Sequence, residues 1–325
     1  MPTFLEWDEA NAVCELPKLG ALGRTFHVFD PRSVQAINAA LASGRPLLLR
    51  GEPGTGKSQL ARAAAQRLGR AFVSTVVDAR TEAEDLQYEF DTVARLAEAQ
   101  IQGALGVRDS AAVRESLAEE RFLSPGPLWW AFDWAEAKTY PKPSGTAEPP
   151  QPVGWKPEAG VVMLLDEIDK ADSSVPNGLL ECLAQGYFRV PGGKTVAATP
   201  AAPPLIVVTT NEERALPDAF LRRCLVHHLA WPTEERELRR ALVRWGAAHY
   251  GSRAAEKVLE RAAELLAKDR DAARDLDLNP PGGAEYLDLL RALAERYPGR
   301  TKEQLAWLEE IARFALRKHP EVAGP

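Results

Sequence analysis

Cysteine is scarce in this sequence, and long apolar runs are missing. The three cysteines, Cys14, Cys182 and Cys224, lie far apart and form no CxxC pair, so neither a zinc ribbon nor a disulfide framework is indicated. No apolar run approaches the ~18 residues that a membrane span needs. The N-terminus also lacks the basic and apolar regions of a signal peptide. We therefore expect free thiols in a reducing compartment and a cytoplasmic protein without a membrane segment.

An excess of positive charge is missing as well. The 325 residues carry a formal net charge of −6, so non-specific attraction to nucleic acid or anionic lipid is not favoured, although a local basic patch stays possible. The hydrophobic fraction is 45% and the charged fraction 26%, which is ordinary for a globular protein. This length suits one large domain or two modest ones.

A glycine-rich run, 51–58, has the setting of a phosphate-binding loop. It follows the apolar residues 47–49 and precedes a helical pattern at 59–65. In such a strand–loop–helix unit, backbone N–H groups and the helix N-terminus attract phosphate. The lysine, here Lys57, reaches the β- and γ-phosphates, and the hydroxyl of Ser58 binds Mg²⁺. The candidate nucleotide-binding residues of this phosphate loop and the position after it are Gly51, Glu52, Pro53, Gly54, Thr55, Gly56, Lys57, Ser58 and Gln59.

Five apolar residues, 161–165, end in Asp166 and Glu167. This pattern is typical of a central parallel strand that delivers carboxylates at its carboxyl end. Beside a triphosphate, Asp166 would hold Mg²⁺ and Glu167 would polarise the attacking water. A solvated strand end could show the same letters, but the phosphate loop upstream favours the magnesium site.

Two further polar positions follow short elements. The buried-strand pattern at 205–210 ends in Asn211, whose amide could orient the hydrolytic water or read the γ-phosphate; an ordinary turn residue is the alternative. The segment 216–223 predicts a short helix that ends in Arg222 and Arg223. These arginines are either a solvated basic helix end or an arginine finger that stabilises charge on the transferred phosphoryl group.

The remaining patterns divide the chain into three parts. We expect an irregular N-terminal lead at 1–29, an α/β domain at 30–231 and an all-helical region at 232–325. Within the α/β domain, Asp30-Pro31 predicts a helix start, and Thr81-Glu82-Ala83-Glu84 resembles a capping box that would begin another helix. Other expectations are strands at 46–50, 71–77 and 225–229, a helical stretch at 91–121 broken near Gly103 and Gly106, a helix at 175–185, a flexible Pro-rich insertion at 139–160 and a β-hairpin at 186–196.

Trp129 and Trp130 lie side by side on a Gly/Pro turn. Both side chains do not easily face one core, so one of them could lie at a subunit contact. We favour the alternative, a buried anchor, because large aromatic side chains dominate core burial.

The order of these parts resembles the AAA+ ATPases, and within them the MoxR-type and dynein-related branch. The resemblance spans about residues 30–300. It is carried by GEPGTGKS at 51–58, LLDEIDK at 164–170, TTNE at 209–212 and LPDAFLRRC at 216–224, with branch-specific segments at 126–132 and 190–194. It implies an α/β P-loop fold with a five-stranded parallel sheet in the order 5-1-4-3-2, flanking helices and a C-terminal helical lid.

The same resemblance implies ATP with Mg²⁺ at the subunit interface of a ring hexamer. Lys57 and Glu167 would then be catalytic, and Asn211 would be sensor 1. Arg223, or its neighbour Arg222, would be the finger that acts on ATP in the adjacent subunit. Many relatives carry a lid arginine, sensor 2, at a position that falls near Ala284 here, where the sequence has none; Arg291 or another group is the alternative.

The expected function is ATP hydrolysis that remodels or activates a protein partner, which in family analogues often contains a von Willebrand A domain. One alternative is a nucleic-acid motor, for which the hairpin offers only Arg189 and Lys194. Another is a nucleotide-switched scaffold in a bacterial defence or signalling system. Glu167 and Asn211 disfavour the scaffold, because a site that hardly turns over ATP has no need of them.

Overall fold

The computed structural model describes residues 4–106, 109–140 and 148–316. By their contacts these residues group into two compact units, and the chain passes between the units several times. The first unit contains Gln35–Leu49 and Ala64–His227; the second contains Glu6–Val34, Arg50–Ala63 and the chain from His228 onward. The phosphate loop therefore belongs to the same unit as the C-terminal helices. The linear division predicted at residues 30 and 232 stays a prediction.

The strands of the described residues are mostly short. They are β1 (Val13–Leu16), β2 (Thr25–Val28), β3 (Leu47–Arg50), β4 (Ala71–Val76), β5 (Tyr88–Phe90), β6 (Leu123–Pro125), β7 (Val161–Asp166), β8 (Tyr187–Arg189), β9 (Thr195–Ala197), β10 (Leu205–Thr210) and β11 (Leu225–His228).

The helices are shortest in the middle of the chain and longest at its end. They are α1 (Pro31–Ser43), α2 (Lys57–Leu68), α3 (Thr92–Ala104), α4 (Ser110–Ser116), α5 (Pro127–Phe132), α6 (Trp134–Ala137), α7 (Ser174–Gly178), α8 (Leu180–Gln185), α9 (Asp218–Leu221), α10 (Glu235–Tyr250), α11 (Glu256–Asp275), α12 (Gly283–Arg296) and α13 (Thr301–Ala315).

The first unit is built on a parallel sheet of five strands of the described chain, in the order β11-β3-β10-β7-β4. Numbered along the chain among themselves, these strands have the order 5-1-4-3-2. The β7 strand pairs in parallel with β4, with Ala71 opposite Val161, and with β10, with Leu205 opposite Val162. Residues 161–165 of β7 are all buried, as expected for a strand that is covered on both faces of a parallel sheet. The predicted five-stranded parallel core is confirmed.

The core of the first unit includes both neighbouring tryptophans of α5. Trp129 is 0% exposed and Trp130 is 4% exposed, so the prediction of buried anchors is confirmed. The Trp129 ring lies 4.6 Å from Tyr140, and the Trp130 ring lies 5.0 Å from Trp134. Each ring therefore has its own aromatic neighbour, which resolves how adjacent bulky side chains can both be buried.

Several local predictions are confirmed at the level of single elements. Helix α1 begins at Pro31, and the Asp30 carboxylate accepts the N–H groups of Arg32 and Ser33, at 2.9 and 3.0 Å. The 91–121 stretch is helical with a break between α3 and α4, and the hairpin at 186–196 is the antiparallel pair β8–β9. The predicted 175–185 helix is present as α7 and α8.

Two predictions are wrong. Residues 1–29 are not an irregular lead throughout, because β1 and β2 pair antiparallel with Val13 opposite Val28. The β1 strand buries alternate residues, a pattern too short to stand out in the sequence. No helix begins at Thr81 either. The Asp78 carboxylate accepts the Thr81 N–H at 3.0 Å, and the Asp85 carboxylate accepts the Glu82 N–H at 2.8 Å, so side chains close turns there instead.

The structure describes only part of the predicted insertion at 139–160. Residues 141–147 lie outside the described residues. From residue 148 the chain packs by Trp155, whose ring lies 4.7 Å from Trp134 and whose Nε1 donates to Gly160 O at 3.1 Å. The second half of this segment is thus anchored by an aromatic contact.

The second unit contains α10 to α13, β1 and β2, and the start of α2. Its core comes from the apolar faces of the helices, as on α10, where Leu238, Leu242 and Trp245 are buried and Tyr250 is half-buried. Within the described ranges, no helix is both long and apolar enough to cross a membrane.

Candidate nucleotide-binding site

The backbone of the phosphate loop has a shape that side chains would prevent at two positions. Gly51 follows β3 with φ of +143°, and a Cβ atom there would lie 2.0 Å from Leu229 O. Gly54 has φ of +75°, and a Cβ atom there would lie 3.2 Å from Ala284 N. Glycine at these two positions is therefore required by backbone conformation and by close packing within the second unit.

Lys57, the first residue of α2, is folded back over the phosphate loop. Its side chain is buried, and Nζ donates to Gly51 O at 2.7 Å and to Glu52 O at 3.0 Å. The Thr55 hydroxyl also donates to Glu52 O, at 2.9 Å. A buried ammonium held at the N-terminus of a helix is a suitable partner for a phosphate group.

The residues after the lysine also fit a nucleotide. Ser58 is half-buried one position into α2, where its hydroxyl is a suitable Mg²⁺ ligand. Gln59 Oε1 is buried without a hydrogen-bond partner among the described residues. A buried acceptor of this kind suits a hydroxyl or amino donor of a ligand.

The start of α12 lies against the phosphate loop. A Cβ atom on Gly282 would lie 2.8 Å from Pro53 O, and one on Gly283 would lie 1.9 Å from the Trp245 ring. The backbone is packed too closely for larger residues at these positions. Arg291, the alternative lid arginine, pairs with Asp288 on its own helix and is 62% exposed. Arg291 is thus engaged on its own helix, and a sensor 2 role would fall to another residue of this unit.

In the first unit, Asp166 is the last residue of β7 and Glu167 follows it, and Thr209 of β10 forms hydrogen bonds to both. The Thr209 hydroxyl donates to Asp166 Oδ1 at 2.5 Å and accepts the Glu167 N–H at 2.9 Å. Glu167 has φ of 60° and ψ of 47°, a left-handed conformation that costs a non-glycine residue free energy. A strained acid fixed by a buried hydroxyl is a frequent feature of catalytic positions.

Asn211 lies next to Glu167. It follows β10, and its Nδ2 donates to Glu167 Oε1 at 3.2 Å. We call Asp166, Glu167, Thr209 and Asn211 the acid cluster. The arrangement can hold a divalent cation through Asp166 and can orient a water molecule between a carboxylate and an amide.

The two candidate finger arginines follow α9 and are exposed. Arg223 Nη1 donates to Ala219 O at 2.9 Å. Arg45 holds the carbonyl groups of this turn: Nε donates to Arg223 O at 3.2 Å and Nη2 to Cys224 O at 3.1 Å, with a further contact to Arg222 O. We call residues 222–224 the finger turn. The side chains of both arginines are exposed to solvent.

The structure brings Asp166, Glu167 and Asn211 together within the first unit, and residues 51–59 together within the second. It also shows participants that the sequence analysis missed. Thr209 and Thr210 are polar residues at the buried end of a strand that begins with four apolar residues, which is a signal that could have been used. Arg45 gives no local signal, because its partners are 177 to 179 residues away.

A parallel sheet with a glycine loop after one strand and an acid pair after another defines the class of P-loop nucleotide-binding proteins. The family profile for the AAA domain of the dynein-related subfamily matches residues 46–224, which is more than half of the chain. This chain therefore belongs to the dynein-related subfamily of the AAA domain family. Among proteins of curated function, none matches the sequence.

Solved structures give weaker likenesses. RuvB, the Holliday junction branch migration motor of Thermotoga maritima, is 15% identical over 87% of this chain and 67% of its own, with a TM-score of 0.46. A Cytophaga hutchinsonii protein described as an ATPase is 15% identical over 88% of this chain and 80% of its own, with a TM-score of 0.37. At these scores neither structure says anything about the function of this chain.

Proposed function

We propose that this chain is an ATPase that hydrolyses ATP with Mg²⁺. The observation that supports it best is the acid cluster, because Asn211 lies 3.2 Å from Glu167 and Thr209 holds Asp166. A protein that only binds nucleotide has no need of a positioned general base beside a magnesium ligand. Membership of the AAA family supports the same reading.

The chain's residues divide the work. The phosphate loop binds the triphosphate through backbone N–H groups, and Lys57 supplies positive charge. Ser58 and Asp166 are the residues that would hold Mg²⁺, and the ion would neutralise charge on the phosphate oxygens. Glu167, oriented by Asn211, takes a proton from the attacking water. Arg223, with Arg222 beside it, stabilises the transferred phosphoryl group in a neighbouring subunit.

The proposal extends to a ring, a hexamer by family analogy, that remodels or activates a protein partner. The exposed arginines of the finger turn support action between subunits, since a finger that acts in trans must be accessible to a neighbouring chain. The partner's identity, including a von Willebrand A domain, rests on analogy alone.

The hairpin does not favour a nucleic-acid motor. Lys194 pairs with Glu136, and its Nζ lies 2.9 Å from Tyr140 Oη. The hydrogen bond to Glu136 raises the pKa of Lys194, with a smaller contribution from Tyr140. Its charge is thus compensated within the subunit, which leaves Arg189 as the exposed cation of the β8–β9 strands.

The test is steady-state ATP turnover by the wild type, Glu167→Gln and Lys57→Ala. Turnover should fall by about 10²–10⁴ in Glu167→Gln, the range for loss of a general base. It should fall in Lys57→Ala because ATP no longer binds well. Equal turnover in all three proteins would reject the site, and negligible turnover by the wild-type oligomer would favour the scaffold alternative.

A further inference from the structure

Arg270 on α11 is buried and contacts the phosphate loop. Its side chain is 1% exposed although it ends in a guanidinium group. Nη2 donates to Glu52 Oε2 at 2.7 Å, and Nη1 donates to Pro281 O at 2.6 Å. A buried guanidinium is costly unless it is paired and hydrogen-bonded, so these two contacts determine where the side chain can lie.

Glu52 connects this arginine to Lys57. Its carboxylate pairs with Arg270, while its backbone carbonyl accepts Lys57 Nζ at 3.0 Å. Arg274 lies farther from the same carboxylate, at 3.6 Å, and is 39% exposed. Glu52 is therefore held at two points: its side chain contacts arginines of α11, and its backbone carbonyl contacts Lys57.

The second contact of Arg270 fixes the segment before α12. Pro281 O is the carbonyl group just ahead of Gly282, which packs against Pro53 O. This segment leads into Gly283 and Ala284, which are small residues at the position where the family resemblance implies a sensor 2 arginine. The positive charge that the helices bring to this place is that of Arg270 on α11. It pairs with Glu52 of the phosphate loop.

We propose that Arg270 is a positioning residue for ATP binding, which it favours by holding Glu52, and so the phosphate loop and Lys57, in the binding geometry. The inference rests on the proposed function, since it assumes that the loop binds ATP. Arg270 touches no nucleotide in this account. Its effect is on affinity rather than on the chemical step.

The test is ATP binding by isothermal titration calorimetry in a Glu167→Gln background, which limits turnover during the titration. Arg270→Met keeps the length and removes the charge, and we expect the Kd for ATP to rise about 10- to 100-fold, the range for losing a charge-assisted hydrogen bond. Arg274→Met is the matched control. It should change the Kd by less than about threefold, because exposed ion pairs are weak.

A double-mutant cycle separates positioning from mere stability. Glu52→Gln should weaken ATP binding by itself, but it should add little in the Arg270→Met background if the two residues act as a pair. Arg270→Lys should restore part of the affinity, since it keeps the charge near Glu52. In turnover assays of proteins with Glu167 intact, Arg270→Met should raise KM and leave kcat at saturating ATP within about threefold.

The outcomes are distinct. If the wild type binds ATP and Arg270→Met binds it equally well, this inference is overturned and the proposed function stands. Independent, multiplying effects of Glu52→Gln and Arg270→Met would also overturn it. If Arg270→Met does not fold, the Glu52→Gln titration carries the test, and an unchanged Kd overturns the inference. A wild type that binds no ATP would overturn both this inference and the proposed function.

Discussion

The phosphate loop and the acid cluster are held in place in different ways. In the loop, glycines with positive φ and backbone carbonyls make the contacts, and Lys57 is the side chain that they hold. In the acid cluster, the contacts are made by side chains. The Asn211 side chain contacts that of Glu167, and the Thr209 hydroxyl accepts the Glu167 N–H. A site formed by backbone groups tolerates few substitutions that change the backbone conformation. A site formed by side chains can instead be disabled one functional group at a time.

The difference suggests separate roles for the two units. The second unit holds the residues expected to bind phosphate, together with the helices that contact them. The first unit holds the residues expected to carry out hydrolysis, together with the finger turn. Changes in the second unit should therefore act on the affinity for ATP even without Mg²⁺, and changes in the first unit should act on turnover and on the Mg²⁺-dependent part of the affinity.

The largest expected effect is in the finger turn of the first unit. Arg223→Ala should reduce kcat by about 10³–10⁵, the range for arginine fingers, and should leave the Kd for ATP nearly unchanged. Arg222→Ala is the matched control and should have a smaller effect. Titrating Arg223→Ala subunits into wild-type oligomers and measuring turnover would show whether the arginine acts across subunits. A variant that loses ATP binding but keeps normal residual hydrolysis would contradict the assignment of Arg223 as the finger.

A smaller effect is expected from one hydroxyl of the acid cluster. Thr209→Val keeps the shape but removes the contacts to Asp166 and to the Glu167 N–H, which leaves a part-buried donor without this acceptor at a cost of about 1–3 kcal/mol. Turnover should fall about 10- to 100-fold, with ATP binding in EDTA unaffected. Thr210→Val is the control, because Thr210 Oγ1 accepts the Glu212 N–H and no acid-cluster group. Equal losses in both variants would mean that general destabilisation is the cause.

Stability against pH should report on the second unit. Burial lowers the pKa of His249 from its ordinary 6.5. Its Nδ1 lies 2.9 Å from Trp245 O, so the neutral ring donates there and Nε2 accepts from Thr25 at 3.2 Å. The unfolded state takes up the proton first, so stability is full above about pH 6.5 and declines below it by up to ~1.4 kcal/mol per pH unit.

The measurement is the urea midpoint at pH 7.5 and pH 5.5, in the wild type and in His249→Gln. The variant should be less stable at pH 7.5 but should lose less of its stability on acidification. An identical loss in both proteins would show that other groups are responsible for the pH dependence.

The smallest expected signal is thiol labelling in the first unit. Burial raises the pKa of Cys182 to about 12 and that of Cys224 to about 11. Since the thiolate is the reactive form, both thiols should be nearly inert to iodoacetamide at pH 7.5 until the protein is unfolded. Mass spectrometry of labelled peptides checks this. Rapid labelling of Cys224 in the native protein would indicate that the finger turn opens in solution.

The sequence was sufficient where the signal is local. The phosphate loop, the acid pair after β7 and the start of α1 at Asp30 each depend on a few neighbouring residues, so their patterns could be recognised directly. The capping-box pattern at 81–84 shows the limit, because Asp78 accepts the Thr81 N–H that the box would use, and Asp85 accepts the Glu82 N–H. The pairing of β1 with β2 was missed because each strand is only four residues long.

Contacts between residues far apart in the chain could not be predicted from the sequence. Arg270 and Glu52 are 218 residues apart, and Arg45 meets the finger turn across a similar separation. A single charged residue on a helix gives no indication of its partner, since most such residues are solvated. The sequence predicted which residues form the loop and the acid pair, but only the coordinates show what supports them.

The most direct test of the central claim, that this chain binds ATP with Mg²⁺ and needs Lys57 and Asp166 to do so, is the Mg²⁺ dependence of ATP binding in proteins that carry Glu167→Gln. ATP should bind more tightly with Mg²⁺ than with EDTA. Asp166→Asn in the first unit should remove this Mg²⁺-dependent gain while leaving binding in EDTA unchanged, and Lys57→Ala in the second unit should weaken binding in both conditions. A full Mg²⁺ gain in Asp166→Asn would contradict the account.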